Sequence, residues 1–391
     1  MTEWMTHLDD IGPEKIVHVY DPETNLRGVV VVDCTALGET VGGGIRMMPD
    51  VTTAEVAGLA RAMTYKFNAI DLPVGGAKSG IWGSPSVSGE ERRNLMLAFG
   101  RAIKPLMQSG LNIGADIGTD ADDLAVIHEG AGMPWNTTGL VMQEKDGEPL
   151  ENHATGYGVV AAARAACEFA GVTVNGATAA IEGFGKVGGG VCRYFNDLGV
   201  KVVALSTIDG AIYNPDGLDV AKLLADRKTK GDKAVSDYAD AQHIEAAKLF
   251  HLPVDILVPG ARPHVITEAS VGGVQAKVIS SIANNPITDK AEAMLFGRGI
   301  HVVPDFMANA GGITVALVDI LGGDAVTLFR VLDDVIGDMS TEILNAARKA
   351  NVNPRALAQQ RTLEQIKQAR ITKVTVGLEE LIERTRKRFK M

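Results

Sequence analysis

Residues 177–188 read Ala-Thr-Ala-Ala-Ile-Glu-Gly-Phe-Gly-Lys-Val-Gly, and this stretch decides the fold. The apolar run Ala177 to Ile181 predicts a strand. Gly183, Gly185 and Gly188 follow at the G-x-G-x-x-G spacing that joins a strand to a helix in dinucleotide-binding turns. The first glycine permits the tight turn, the second lets backbone approach a pyrophosphate, and the third lets the helix pack on the sheet. The helix start, at Lys186 and Val187, favours phosphate charge. Glycines also mark ordinary turns, but the strand before and the helix after favour the cofactor reading.

Downstream, Val200 to Leu205 is a nearly continuous apolar run, and shorter ones follow at 254–258, 276–280 and 300–303. Helical segments separate them, the rhythm of a parallel sheet with crossover helices. The second strand ends at Ser206, where an acid would accept from a ribose 2′-hydroxyl. Thr207 and then Asp209 follow, and the next basic residue is Lys222. The expectation is NAD, with NADP left open. After Gly312 the chain reads as helical to its end, through 327–350, 355–368 and a basic last helix over 376–390.

Upstream, strands and helices are expected around Lys15 to Val32, then a Gly-rich turn at Gly42 to Gly44. A helix over Thr53 to Ala69 opens on a capping box, Thr52 with Glu55. Leu59, Met63, Lys66 and Ile70 fall on one stripe beside Val56, Ala60 and Phe67, so Lys66 lies on or beside an apolar face. Twelve residues later Lys78 stands in Leu-Pro-Val-Gly-Gly-Ala-Lys-Ser-Gly-Ile, residues 72–81. By itself it reads as an exposed loop lysine. Paired with Lys66 it suits an anionic substrate, one lysine fixing a carboxylate and the other doing chemistry, with burial and a neighbouring cation lowering its pKa. Asp116, in Gly114-Ala-Asp-Ile-Gly118, reads equally as a proton carrier or a turn aspartate. Asp120, Asp122 and Asp123 read as the exposed first turn of a helix.

The 391 residues suffice for two domains. A net charge of −10 argues against nucleic-acid or anionic-membrane partners, which call for basic patches. Cys34, Cys167 and Cys192 form no C-x-x-C pair, so buried thiols are expected rather than disulfides or a zinc site. The histidines, among them His153, His251, His264 and His301, are scattered, and no metal is expected. Met1 to Asp10 is polar where a secretory leader is apolar, and the apolar stretch near 310–323 is broken by Asp319. A cytoplasmic protein is the expectation.

Taken together, these segments resemble the glutamate/leucine/phenylalanine/valine dehydrogenases. The resemblance rests on Met63-Thr-Tyr-Lys66, Gly-Gly-Ala-Lys78 through Gly83-Ser-Pro85, Gly-Ala-Asp116-Ile-Gly, Thr155-Gly-Tyr-Gly, Gly183 to Gly188, and Pro304-Asp-Phe-Met-Ala-Asn309-Ala-Gly-Gly312. It runs from about Gly38 to Ala316 and implies two α/β domains with a cleft between. Residues 1–145, completed by helices from 325–391, would form the substrate-binding and oligomerisation domain. Residues 146–324 would form a doubly wound, Rossmann-type dinucleotide domain. The resemblance also implies roles. Lys66 would bind the substrate α-carboxylate, Lys78 would activate water, and Asp116 would exchange a proton with the amino group. Thr155 and Asn284 would hold the nicotinamide carboxamide, and Asn309 would lie beside substrate and nicotinamide. The implied reaction converts an L-amino acid reversibly to its 2-oxo acid and ammonia, in a homo-oligomer.

Two departures bear on substrate. Glutamate dehydrogenases place a lysine where Gly42 stands, ahead of Gly43-Gly44-Ile45-Arg46, and a serine where Ala316 stands. Without either, a side-chain carboxylate is left unpaired, which is costly in a closed site. Gly42 and Gly114, both bulkier in leucine dehydrogenases, suggest a large cavity lined by Met63, Ile313 and Ala316, unless Met47 or Met48 fills it. An apolar, bulky or aromatic amino acid is expected. Ser79 and the 259–262 loop with Arg262 also look atypical, Arg262 being either a site contact or an exposed loop residue. The alternatives are a dehydrogenase of an unusual amino acid or amine, and a non-catalytic cofactor-binding regulator. Retention of Lys66, Lys78 and Asp116 together argues against the regulator.

Overall fold

The computed structural model describes residues 8–135, 137–373 and 376–391; the first seven residues of the polar N-terminal segment lie outside it. The chain divides into two units, residues 1–139 with 359–391, and residues 140–358.

The first unit is built on a five-stranded sheet. Its strands are β1 (Lys15–Asp21), β2 (Leu26–Val32), β3 (Val41–Met48), β4 (Gly75–Trp82) and β5 (Leu111–Ala115), in the order β1-β2-β4-β3-β5. Helix α1 (Thr53–Ala69) joins β3 to β4; α2 (Gly89–Gln108) precedes β5 and α3 (Ala121–Ala131) follows it. The pleat sends alternate residues to opposite faces. Val41, Ile45, Met47, Ala77, Ile81 and Leu111 point into a core shared with α2 and α3. On the other face Val29 and Val31 pack with Val56, Ala57 and Ala60 of α1.

The glycine runs at 42–44, read above as a turn, and at 75–76, in a segment read as a loop, are strand. Glycine weakens strand propensity, but here backbone must pass close to backbone. A Cβ on Gly75 would stand 1.7 Å from the Cys34 carbonyl oxygen, and one on Gly76 would stand 2.3 Å from the Thr64 amide nitrogen of α1. The Thr52 side chain caps α1 as expected, accepting from the Glu55 amide at 3.1 Å. The reciprocal half of the box is replaced, because the Glu55 carboxylate accepts instead from Arg46 at 2.6 Å. Asp120 caps α3 in a reciprocal box with Asp123. Asp123 is buried rather than exposed, since Arg92 reaches it with two donors at 2.6 and 2.7 Å.

The second unit begins with a short ribbon, β6 (Glu144–Lys145) and β7 (Glu148–Pro149), and helix α4 (Leu150–Ala170). The quoted stretch then folds as read: β8 (Thr178–Glu182), the glycine turn, α5 (Lys186–Asp197) and β9 (Lys201–Thr207). After β10 (Gly210–Tyr213), α6 (Val220–Lys230) and α7 (Lys233–Ser236) come β11 (Gln242–Ile244), β12 (Ile256–Val258), β13 (Val278–Ile279), α8 (Asp289–Gly297) and β14 (His301–Val302). The sheet order is β11-β10-β9-β8-β12-β13-β14. Its five central and right-hand strands are parallel, whereas β10 returns as a hairpin after β9 and β11 pairs with it antiparallel. That edge was not anticipated.

Helices α9 (Asp305–Ala308), α10 (Gly311–Ile320), α11 (Ala325–Leu332) and α12 (Asp338–Ala350) follow, with one π-helical turn at Asp333–Gly337 between the last two. The chain returns to the first unit within α13 (Pro354–Thr372), later than the expected 325. The reason lies in the contacts. Tyr157 and Arg164 of α4 each donate to Asp333 at 2.9 Å, and Arg355 is buried against Glu292 and Asp305. Beyond that point Ile366 packs with Ile11, Cys34 and Leu37, and Arg370 pairs with Glu14 at 3.0 Å. Helix α14 (Leu378–Phe389) ends the chain.

Candidate active site

The strand alternation that builds the first core also builds its chemistry. Gly42, Gly44 and Arg46 of β3, Lys78 of β4, and Gly114 with Asp116 at the end of β5 share the face covered by α1. Lys78 is therefore not a loop lysine. It sits on the central strand, 6% exposed, and its ammonium donates to the Asp116 carboxylate at 2.9 Å. The register places Gly44 between the strands carrying these groups, and an added Cβ there would come within 3.1 Å of Lys78 Nζ and 2.9 Å of Asp116 Cβ. The missing side chain is what lets lysine and aspartate meet.

Arg46, which the sequence reading passed over, completes the cluster. Its Nε donates to Asp116 Oδ2 at 2.9 Å while its Nη1 donates to Glu55 at 2.6 Å. The signal was available in the alternation of Val41, Ile45 and Met47 with Gly42, Gly44 and Arg46. Burial alone would raise the Asp116 pKa. The charges of Lys78 and Arg46, with their hydrogen bonds, outweigh it and hold the carboxyl down to about 2. The charge paired with Lys78 is thus an anion, where the sequence reading placed a cation.

Lys66 lies half-buried on α1. The Thr64 hydroxyl, two residues before Lys66, accepts from the amide of Gly76, two residues before Lys78, at 3.0 Å. The same hydroxyl donates to the buried Asp33 carboxylate at 2.6 Å, which Arg61 also holds at 2.9 Å. Gly43 faces away from this cluster, and a Cβ on it would lie 1.7 Å from the Ala77 carbonyl oxygen; it serves strand closure. Met63 and Phe67, one helical turn apart, are buried on the same side of α1 as Thr64.

The room expected directly over Gly42 is partly taken by a ring from α1. An added Cβ would stand 3.0 and 3.3 Å from ring carbons of Phe67, so this ring, and neither Met47 nor Met48, fills the space. At Gly114, directly across the sheet from Gly44, no heavy atom of the described residues other than its chain neighbours lies within 4 Å of the Cβ position.

In the second unit Gly183 adopts φ +89°, a left-handed conformation that favours glycine, and a Cβ on Gly188 would stand 1.8 Å from the Gly183 carbonyl oxygen. Nothing lies within 4 Å of a Cβ on Gly185. The turn thus opens onto free space at the start of α5, with Lys186 exposed and Val187 half-buried there; this is what a pyrophosphate needs. Ser206 is turned inward: its hydroxyl accepts from the Gly183 amide at 3.3 Å and it is 3% exposed. The strand runs one residue further, to Thr207, and Asp209 is exposed.

Gly156 lets α4 pass the start of α5, and Gly311 lets α10 pass α4, where a Cβ would lie 2.0 Å from the Ala154 carbonyl oxygen. Thr155, whose hydroxyl donates to the Glu151 carbonyl at 2.9 Å, thereby lies beside Gly312. On α10 Ile313 is half-buried and Ala316 exposed. Asn309 and Asn284 are brought together, the Asn309 amide donating to Asn284 Oδ1 at 3.0 Å. The other end of that side chain, Oδ1, is buried with no partner among the described residues, which suits an incoming N–H donor such as a carboxamide. Asp305 supports this loop, accepting from the Asn285 amide at 2.7 Å. Arg262 is exposed, and Glu182 holds its loop by accepting from the Gly260 and Ala261 amides at 3.0 and 3.1 Å. Among the described residues no group of three or more His, Cys, Asp or Glu side chains is placed to hold a metal, and no helix is long and apolar enough to cross a membrane.

Residues 13–132 match the Glu/Leu/Phe/Val dehydrogenase dimerisation domain, and residues 147–373 match the Glutamate/Leucine/Phenylalanine/Valine dehydrogenase family. The chain is an oxidoreductase, an amino-acid dehydrogenase. The chain belongs to the glutamate/leucine/phenylalanine/valine dehydrogenase family. Among curated proteins it is 36% identical over 333 residues to the glutamate dehydrogenase of Thermotoga maritima, covering 81% of this chain and 79% of that one. It is 35% identical over 308 residues to the NAD-specific glutamate dehydrogenase A of Halobacterium salinarum, covering 76% and 70%. Among solved structures, the hetero-hexameric glutamate dehydrogenase from Thermus thermophilus, in a leucine-bound form, superposes with a TM-score of 0.79 at 27% identity, covering 93% of this chain and 91% of that one. L-tryptophan dehydrogenase from Nostoc punctiforme gives 0.67 at 22% identity, covering 92% and 98%, a likeness of fold alone.

Proposed function

We propose that this chain carries out the reversible oxidative deamination of an L-amino acid with an apolar, bulky or aromatic side chain, using NAD or NADP. The observation that carries the chemistry is the 2.9 Å pair of buried Lys78 and half-buried Asp116 on the α1 face of the first sheet. A nicotinamide cofactor, when bound, supplies the hydride acceptor; Gly183, Gly185 and Gly188 with the start of α5 would hold its pyrophosphate, and Thr155, Asn284 and Asn309 its carboxamide. With no carboxylate on Ser206 or Thr207, the adenosine end favours neither form strongly, and NAD is preferred for want of a basic partner there.

Lys66 binds the substrate α-carboxylate. Lys78 and Arg46 both occupy Asp116 Oδ2, which leaves Oδ1 to take a proton from the substrate amino group. Loss of hydride from Cα gives an iminium carbon. Lys78, neutral after giving its proton to solvent as the site closes, deprotonates the attacking water and becomes an ammonium again; Asp116 then returns the amino proton to nitrogen, and ammonia leaves as the carbinolamine collapses to the 2-oxo acid. Arg46, tied to Glu55, keeps Asp116 aimed and ionised between turnovers.

The substrate reading rests on Gly42 and Phe67, which offer no cation to a side-chain carboxylate, and on Ala316. A second reading, glutamate, rests on the names of the curated relatives. Rates of reduced-nicotinamide formation over a panel of L-amino acids, with both cofactors and in both directions, decide between them. In the same assay Lys78→Ala is expected to abolish turnover while cofactor binding survives; turnover at the parent rate would remove Lys78 from the chemistry. The proposed setting is a cytoplasmic homo-oligomer, which suits three buried free thiols, Cys34, Cys167 and Cys192.

A further inference from the structure

We infer that Phe67 is the residue that sets side-chain specificity, by occupying from the helix the space that Gly42 vacates on the strand. The inference rests on the proposed amino-acid dehydrogenase reading and names the part of the pocket that selects. Gly42 faces α1, and its Cβ position is 3.0 Å from Phe67 Cζ, 3.3 Å from Phe67 Cε2 and 3.9 Å from the Asn112 carbonyl oxygen. Phe67 follows Lys66 directly, so the ring starts one residue from the ammonium assigned to the substrate carboxylate. It is 7% exposed and carries no polar atom.

Two consequences follow. A side-chain carboxylate brought to this end would lose its water and find a hydrocarbon wall. A longer residue at position 42 would have to displace the ring before it reached a ligand, so changing Gly42 alone cannot create a cation site. Open room remains across the sheet at Gly114, where no heavy atom of the described residues other than its chain neighbours lies within 4 Å. A branched or aromatic side chain is therefore expected to lie over Gly114 with its flank against Phe67, and Met63 is buried one turn earlier on α1.

The experiment measures kcat/KM for L-leucine, L-phenylalanine, L-tryptophan and L-glutamate in the full-length protein and in Phe67→Ala, Phe67→Leu, Gly42→Lys and the double variant Gly42→Lys/Phe67→Ala. Ratios between substrates are the readout, because a loss of folded fraction lowers all of them together and leaves the ratios unchanged. Removing the ring in Phe67→Ala is expected to raise the tryptophan-to-leucine ratio about tenfold or more, the scale on which a pocket reads a few methylenes. Phe67→Leu should shift it in the same direction by less, and covers the case in which alanine does not fold. The glutamate-to-leucine ratio should rise about tenfold in the double variant and stay at the parent value in Gly42→Lys. Ratios within about twofold of the parent in both Phe67 variants, in a parent that is active on apolar amino acids, would overturn the role of Phe67 and leave the proposed reaction standing. A parent that turns over glutamate and no apolar amino acid would overturn both.

Discussion

Replacing Gly44 by alanine adds one methyl to the face of the sheet where Lys78 meets Asp116. An ideal Cβ there stands 2.7 Å from the Ala115 carbonyl oxygen, 2.9 Å from Asp116 Cβ and 3.1 Å from Lys78 Nζ, all inside ordinary contact. The lysine end can swing aside; the carbonyl and the aspartate stem cannot, so β5 must retreat by roughly half an ångström. Overpacking of this kind costs about 1–3 kcal/mol of stability. Misplacing reacting groups by about 1 Å costs on the order of a hundredfold in rate, so a shift of half that size is expected to lower kcat/KM about ten- to hundredfold. That corresponds to about 1.4–2.7 kcal/mol in barrier height. Gly114→Ala is the matched control, since residue 114 is registered opposite residue 44 yet has no heavy atom of the described residues other than its chain neighbours within 4 Å of its Cβ position. Initial rates on the preferred substrate, with cofactor affinity followed by fluorescence, separate the two variants. Gly44→Ala should lose turnover on every amino acid with unchanged cofactor affinity, whereas Gly114→Ala should shift the preference among amino acids and keep turnover on the smaller ones. A Gly44→Ala enzyme with parent kcat would refute the idea that this glycine holds open the path between lysine and carboxylate.

Two further outcomes are expected. Folding lowers the Asp116 pKa from 3.8 to about 2, a shift worth about 2 kcal/mol that is fully present above pH 3.8 and lost as pH falls through about 2. The difference in unfolding free energy between the parent and Asp116→Asn should therefore shrink between pH 4 and 2, and a pH-independent difference would show that the ion pair is not its source. In the second unit, Arg355→Ala strands the buried carboxylates of Glu292 and Asp305 and should cost about 3–5 kcal/mol in denaturant unfolding. A loss below about 1 kcal/mol would mean that water replaces the guanidinium.

The second unit was legible in residues 177–188 because each glycine there answers a separate backbone demand, and the turn, helix and flanking strands fall where the spacing puts them. Helix α1 was legible to its cap for the same reason: Thr52 and the apolar stripe act locally. What escaped were consequences of sheet pairing. The glycine runs of β3 and β4 resemble turns when taken residue by residue, and only neighbouring strands and α1, brought from far along the chain, make them strand. Arg46 was missed because its partners Asp116 and Glu55 lie 70 and 9 residues away. Phe67 was read as one more member of an apolar stripe, since nothing local says that its ring faces a residue without a side chain. The late return at Gln359 depends on Asp333 and Arg355 finding partners on α4, α8 and α9, which helical periodicity does not encode.

The division of labour between the two faces of the first sheet has a practical consequence for redesign. Residues 45, 47, 77 and 81 carry the packing against α2 and α3, while 42 and 114, with 63 and 67 on α1, are the positions proposed to meet the bound molecule. Libraries that randomise position 114 alone would sample new side-chain tastes without touching the hydrocarbon interior, so retargeted enzymes should emerge with melting behaviour close to that of the parent, whereas truncation at the buried positions 63 and 67 should lower it.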